Sequence, residues 1–146
     1  MAEIGRLNSL EILHHTPQGF YLDGAEHGEI LLPSRYVTDS MKEGNMITVF
    51  IYRDSEDRLI ASTDRPKAIV GEFAGLKVTS VHPNVGAFLD WGLPKDLLLP
   101  YREQTKPVRK DQIIVVRIIL DPTSERLVAS ARLNRWLEKQ APRPYL

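Results

Sequence analysis

Apolar residues in this chain come in short runs bounded by turn-forming residues, the spacing of strands rather than of amphipathic helices. The strongest run is Gln112 to Leu120. Its body, Ile113-Ile114-Val115-Val116-Arg117-Ile118-Ile119-Leu120, is mostly β-branched, which suits a pleated sheet better than a helix. Around it the pattern predicts strands at Leu76–Val81, Gly86–Trp91, Asp96–Pro100 and Arg126–Arg132, with Val70-Gly71 as the entry. His82-Pro83-Asn84, Gly92 with Pro94, and Asp121-Pro122-Thr123-Ser124 supply the turns between them. Tyr101–Lys110 is polar, carries Pro107 and reads as a loop with a helical turn.

The first half follows the same plan, with strands predicted at Gly5–Leu13, Gly19–Asp23, Glu29–Leu32, Met46–Arg53 and Arg58–Thr63. The two halves share residues as well as pattern. Gly19-Phe20-Tyr21-Leu22-Asp23 returns as Gly86-Ala87-Phe88-Leu89-Asp90, and Leu32-Pro33 as Leu99-Pro100. Lys42-Glu43-Gly44 is answered by Arg109-Lys110-Asp111. Arg58-Leu59-Ile60-Ala61-Ser62 returns as Arg126-Leu127-Val128-Ala129-Ser130, one residue further on. Anchors that keep their order and spacing mark an internal repeat, and a repeat decides the reading of the whole fold. The fold class is therefore all-β. Units of 1–64 and 67–133 are joined by the short linker Thr63-Asp64-Arg65-Pro66-Lys67, which holds them close. Leu133, Trp136 and Leu137 fall at helical spacing, so residues 134–146 are expected to form a short C-terminal helix or tail, stopped by Ala141-Pro142-Arg143-Pro144. Five strands per unit, with a loop or short helix between the third and fourth, match the oligonucleotide/oligosaccharide-binding (OB) barrel. Its second and third strands form the usual ligand face.

Composition narrows the function. Units of roughly 65 residues sit near the lower limit for a self-supporting core, so a packed pair is expected. No run approaches the roughly 20 apolar residues that span a bilayer. Glu3 comes early and no apolar stretch follows it, so the N-terminus does not read as a secretory leader. The chain has no cysteine, which excludes a disulfide framework and thiol catalysis. These features fit a cytoplasmic protein with no membrane partner. Formal net charge is zero, yet residues 1–66 hold 6 Lys and Arg against 11 Asp and Glu, and residues 67–146 hold 13 against 8. An acidic half beside a basic half suggests that the second unit meets an anion, or that sister units have drifted in charge. No hydrolase elbow, phosphate loop or dinucleotide fingerprint is present, and the paired carboxylates lie in turns, so the chain does not read as an enzyme. His14, His15 and His27 with Glu29 lack zinc-site spacing, and no metal or cofactor is implied.

The second unit resembles an S1-type RNA-binding domain. The resemblance rests on Val70-Gly71, Gly86-Ala87-Phe88-Leu89-Asp90, Leu97-Leu98-Leu99-Pro100, Lys110-Asp111, Asp121, Arg126 and Ser130. The first unit is similar more faintly, through Gly19, Leu22-Asp23, Leu32-Pro33, Gly44, Asp54, Arg58 and Ser62. The tandem arrangement, with Asp90-Trp91-Gly92-Leu93-Pro94 followed by Leu97-Leu98-Leu99-Pro100-Tyr101, resembles the bacterial conserved virulence factor B family. Members of that family begin with a run of S1-type domains and usually continue into another S1-type domain and a winged helix. The resemblance thus implies a fragment or a short variant, and a regulatory role in virulence or after transcription. It also implies an RNA face. Phe88 and Tyr21 take the strand-two stacking position, and Asp121 with Arg126, and Asp54 with Arg58, take the last turn. The family's other stacking positions hold Val85 and Gln18, and Pro100 and Pro33, none of which stacks.

Single-stranded nucleic acid is held by stacking bases on exposed aromatics in a basic groove. If Leu89 faces the core, Phe88 faces out; the alternative is that Phe88 plugs the barrel. Trp91 and Tyr101 lie near the ends of the same strands and either extend the platform or pack inside. Arg126 either meets a phosphate or base, or pairs with Asp121 or Glu125. His82 ends the first strand of the second unit, 67 residues after His15. Arg102, Lys106, Arg109, Lys110 and Arg117 make the region after the third strand basic. The expected RNA-binding residues are Phe88, Trp91, Tyr101, Arg126, Asp121, His82 and Lys110, with Tyr21 and Arg58 in the first unit. The expected partner is single-stranded RNA. The alternative is a protein-interaction module that docks a partner through its acidic first unit.

Overall fold

The computed structural model describes residues 2–133. It contains two closed five-stranded barrels. The first is built from β1 (Leu7–Thr16), β2 (Gly19–Asp23), β3 (Glu29–Pro33), β4 (Met46–Arg53) and β5 (Leu59–Ser62). The second is built from β6 (Phe73–His82), β7 (Gly86–Asp90), β8 (Leu97–Pro100), β9 (Ile113–Leu120) and β10 (Leu127–Ser130). Each closes in the order first, second, third, fifth, fourth strand, with a parallel contact between third and fifth: Leu31 with Ile60, Leu98 with Val128. This is the OB Greek key. The expected C-terminal helix falls on residues 134–146, outside the described residues.

The first strand of each barrel runs longer than its apolar pattern. Leu76–Val81 is the apolar part of a strand that extends from Phe73 to His82. A first strand must pair with the second strand at one end and the fourth at the other, and it bends through a bulge to do both. The register shifts between Ile12 and His14 in β1, and between Val78 and Ser80 in β6. Inside each barrel the alternating positions fill the core: Ile12, Leu22, Ile30, Leu32, Val49 and Ile51 in the first, Leu76, Val78, Leu89, Leu99, Val116 and Ile118 in the second.

The barrels are packed edge to side. Phe50 and Tyr52 lie on the outer face of β4, alternating with the core residues Val49 and Ile51, and still they are buried. The second barrel covers them. The Trp91 ring stands edge-on to Phe50 at 5.7 Å and to Tyr52 at 6.2 Å. The indole N–H donates to the Lys95 carbonyl at 2.7 Å, and the Trp91 carbonyl accepts from the Lys67 amide of the linker. Val70 donates its amide to the Gly5 carbonyl, so the entry to the second barrel hydrogen-bonds the entry to the first. Burying three aromatic rings supplies on the order of 1.5–3 kcal/mol each, a large share of what two small barrels need from one another.

Candidate nucleic-acid interface

Strand pairing gives the correspondence between barrels residue by residue. Phe20↔Leu32 matches Ala87↔Leu99, and Ile51↔Ala61 matches Ile118↔Ala129. On this frame a concavity of about 640 Å³ in the first barrel and a cleft of about 190 Å³ in the second occupy the same place. Gln18, Tyr21, Glu29, Leu31, Arg58, Leu59 and Ile60 line the first. Their counterparts Val85, Phe88, Asp96, Leu98, Arg126, Leu127 and Val128 line the second. Each is the face of the second, third and fifth strands, with an aromatic from strand two on its wall and an arginine from the last hairpin at its rim.

Alternation sets the aromatic. Leu22 and Leu89 are fully buried in the cores, which turns Tyr21 and Phe88 outward, both half-buried. The Phe88 and His82 rings meet in a T-shaped contact at 5.1 Å, and the Tyr101 hydroxyl donates to the His82 carbonyl at 2.8 Å. Phe88, His82 and Tyr101 are thus brought together at the β6–β7 end. In the first barrel Tyr21 stacks on His14 at 5.2 Å and donates its hydroxyl to Gln18 Oε1, while His14 Nε2 lies 2.9 Å from Glu29 Oε1.

Several expected residues stand differently. Trp91 is 2% exposed and belongs to the contact between barrels, so it is no open stacking platform; its strand ends against Phe50 and Tyr52. His82 is the counterpart of Thr16, not of His15, because His82 pairs with Gly86 as Thr16 pairs with Gly19. The second barrel's first hairpin loop is one residue longer, which shifts an apparent 67-residue equivalence by one position. Lys110 lies in the turn before β9 and is exposed, and no contact among the described residues ties it to the Phe88 cluster. Arg117 reaches back to the Gly71 carbonyl and lies over the Phe73 ring.

The last hairpins differ in a way the sequence did not signal. In the first barrel Arg58 pairs with Asp54 at 3.1 Å and with Glu56 at 2.9 Å. Burial pushes the Asp54 carboxyl up, but hydrogen bonds from Arg58 and Glu56 outweigh it and hold Asp54 below its usual value. The matching pair does not form in the second barrel. Asp121 accepts from the Ser124 hydroxyl and lies 4.0 Å from Arg102. Arg126 turns instead to Asp57 of the first barrel, Nε to Oδ1 at 2.9 Å, and this hydrogen bond holds the Asp57 carboxyl below its usual value. Arg53 answers across the seam with Glu125 at 3.1 Å. Asp57 and Glu125 occupy the same left-handed turn position, φ 68° and 59°. Lys95 Nζ completes the clasp by donating to the Arg53 and Asp54 carbonyls at 3.1 and 3.0 Å. Desolvation there, with Arg126 nearby, lowers the lysine's pKa. Lys95 and the Tyr52 ring consequently line the second cleft alone, while Arg53 lines both.

Residues 4–64, the unit of the fainter resemblance, match the model of the S1 domain family. An uncharacterized protein, YitL of Bacillus subtilis, is 32% identical over 114 residues, 75% of this chain and 38% of the relative. Conserved virulence factor B of Staphylococcus saprophyticus is 24% identical over 119 residues, 77% of this chain and 40% of the relative. The chain spans about two fifths of the length of these curated relatives. A crystal structure of a multidomain protein with nucleic acid binding domains from Streptococcus pneumoniae superposes with a TM-score of 0.74. That likeness is at 19% identity and covers 97% of this chain and 50% of the other. It extends to the fold of both barrels. The chain is a tandem pair of OB barrels, the first of which matches the S1 domain family, and it is similar to conserved virulence factor B over 77% of its length.

Proposed function

We propose that this protein is a non-catalytic nucleic-acid-binding protein that takes single-stranded RNA on the strand two–three–five faces of its barrels. The observation that carries the reading is the repeated cleft. Two barrels of different charge keep an aromatic, a leucine and an arginine at equivalent positions of the same concave face. An unstacked base needs a flat apolar partner, and its phosphate needs a cation within reach; Phe88 with Arg126, and Tyr21 with Arg58, offer that combination. His82 and Tyr101 extend the aromatic surface beside Phe88, and Asp121 holds the turn that presents Arg126. The likeness to conserved virulence factor B supports extending the proposal to a regulatory role, in virulence or after transcription.

Titration of the whole chain with a labelled single-stranded oligoribonucleotide tests the reading. Binding is expected to weaken with salt. Phe88→Ala should cost about 1–3 kcal/mol of affinity, and Arg126→Gln should flatten the salt dependence by about 0.7 in log–log slope. Equal affinity for a duplex of the same sequence, or a Phe88→Ala variant that binds as well as the parent, would overturn it.

A further inference from the structure

Resting on that reading, we infer that the second cleft is a composite nucleotide site, walled by both barrels and gated by an ion pair that the phosphate must replace. The first concavity is open and belongs to one barrel. The second is narrower because the first barrel's β4 end stands against it: Phe88, Leu98 and Val128 come from one barrel, Tyr52 and Arg53 from the other. Apolar cavities of about 150 Å³ take up a single benzene-sized ring. A cleft of about 190 Å³ lined by Phe88, Tyr52 and Trp91 therefore suits one inserted base. A base on an open barrel face is stacked on one side only, whereas here the neighbouring barrel supplies the opposite wall.

The rim carries the second half of the argument. Arg126 is the cation placed for the phosphate, and in the free protein Asp57 occupies it at 2.9 Å. Both side chains are about half exposed, so the pair is solvated and contributes little to the fold. A phosphate arriving beside the inserted base exchanges one anion for another at the same guanidinium. Asp57 thereby acts as an internal competitor, supplied by the acidic barrel to the basic one. The acidic first unit then has a function in the same site: it sets a threshold that a nucleotide chain must exceed before the cleft fills.

The test is a double-mutant cycle on the whole chain, read by single-stranded RNA affinity. It is done in a Trp136→Phe background, so that Trp91 is the remaining tryptophan. Asp57→Asn should tighten binding several-fold, and the gain should vanish when Arg126 is already Gln. Trp91 fluorescence should change as RNA is added. If RNA binds but Asp57→Asn tightens it equally in both backgrounds, the gain is general electrostatics and the gate is wrong. If RNA binds and Trp91 stays silent, the base does not enter the cleft and the composite site is wrong, while binding on the open faces stands. If no RNA binds, the reading beneath fails and takes this one with it.

Discussion

Tyr52 sits where the seam is most sensitive to charge. Its ring packs against Trp91, and burial, followed by the neighbouring Tyr36, raises its phenol from the ordinary value to about 12. The unfolded chain gives up that proton near pH 10. The contribution is therefore fully present below about pH 10 and is lost as pH rises from there towards about 12. A phenolate absorbance titration should show a late step, towards about pH 12, that Tyr52→Phe removes. A titration that Tyr52→Phe leaves unchanged above about pH 11 would contradict the burial. Residue-level readings of this kind divide by cause. The outward turn of Phe88 was legible because strand alternation is local. The partner of Arg126 was not, because Asp57 is 69 residues away and reaches it through a barrel contact.

At the scale of elements, the repeated glycine and Leu-Pro pair have one explanation. Gly19 opens β2 at φ +144°, where a Cβ would lie 2.1 Å from the Leu32 carbonyl oxygen. Gly86 opens β7 at φ +138°, with Leu99 oxygen at 2.4 Å. The start of strand two crosses so close to the end of strand three that a side chain cannot fit. Gly86→Ala should lower the urea midpoint, with a backbone cost of at least about 1–3 kcal/mol before the clash is added. An unchanged midpoint would mean that the hairpin shifts freely, which the closed barrel forbids. Five strands per unit were legible because their apolar runs are short and their turns well marked. Strand ends were less so: β6 runs past its apolar core because pairing partners, not hydrophobicity, hold Phe73 to Gly75 and His82.

The whole molecule is two small barrels made into one unit by Phe50, Tyr52 and Trp91 under a clasp of charges. Trp91→Ala removes the ring that both barrels share. Such truncations cost about 3–5 kcal/mol in a packed core. The parent is expected to unfold in a single calorimetric transition, and the variant in two, since each barrel keeps its own interior. Two transitions in the parent would show that the seam does not couple the barrels.

The sequence by itself determined the repeat, the all-β class and the five-stranded OB layout, and it favoured an outward aromatic on each second strand. All of these follow from periods of two, from turn residues and from anchors spaced within one unit. Only the tertiary structure decided that Trp91 is a seam residue, that His82 answers Thr16, and that Arg126 is held by Asp57 of the sister barrel. For His82 the physical reason is the extra residue in the hairpin loop; for Trp91 and Arg126 the reason is shared. A strand's pattern reports which of its faces is covered, as Phe50 and Tyr52 report an outer face, but it carries no information on what covers it.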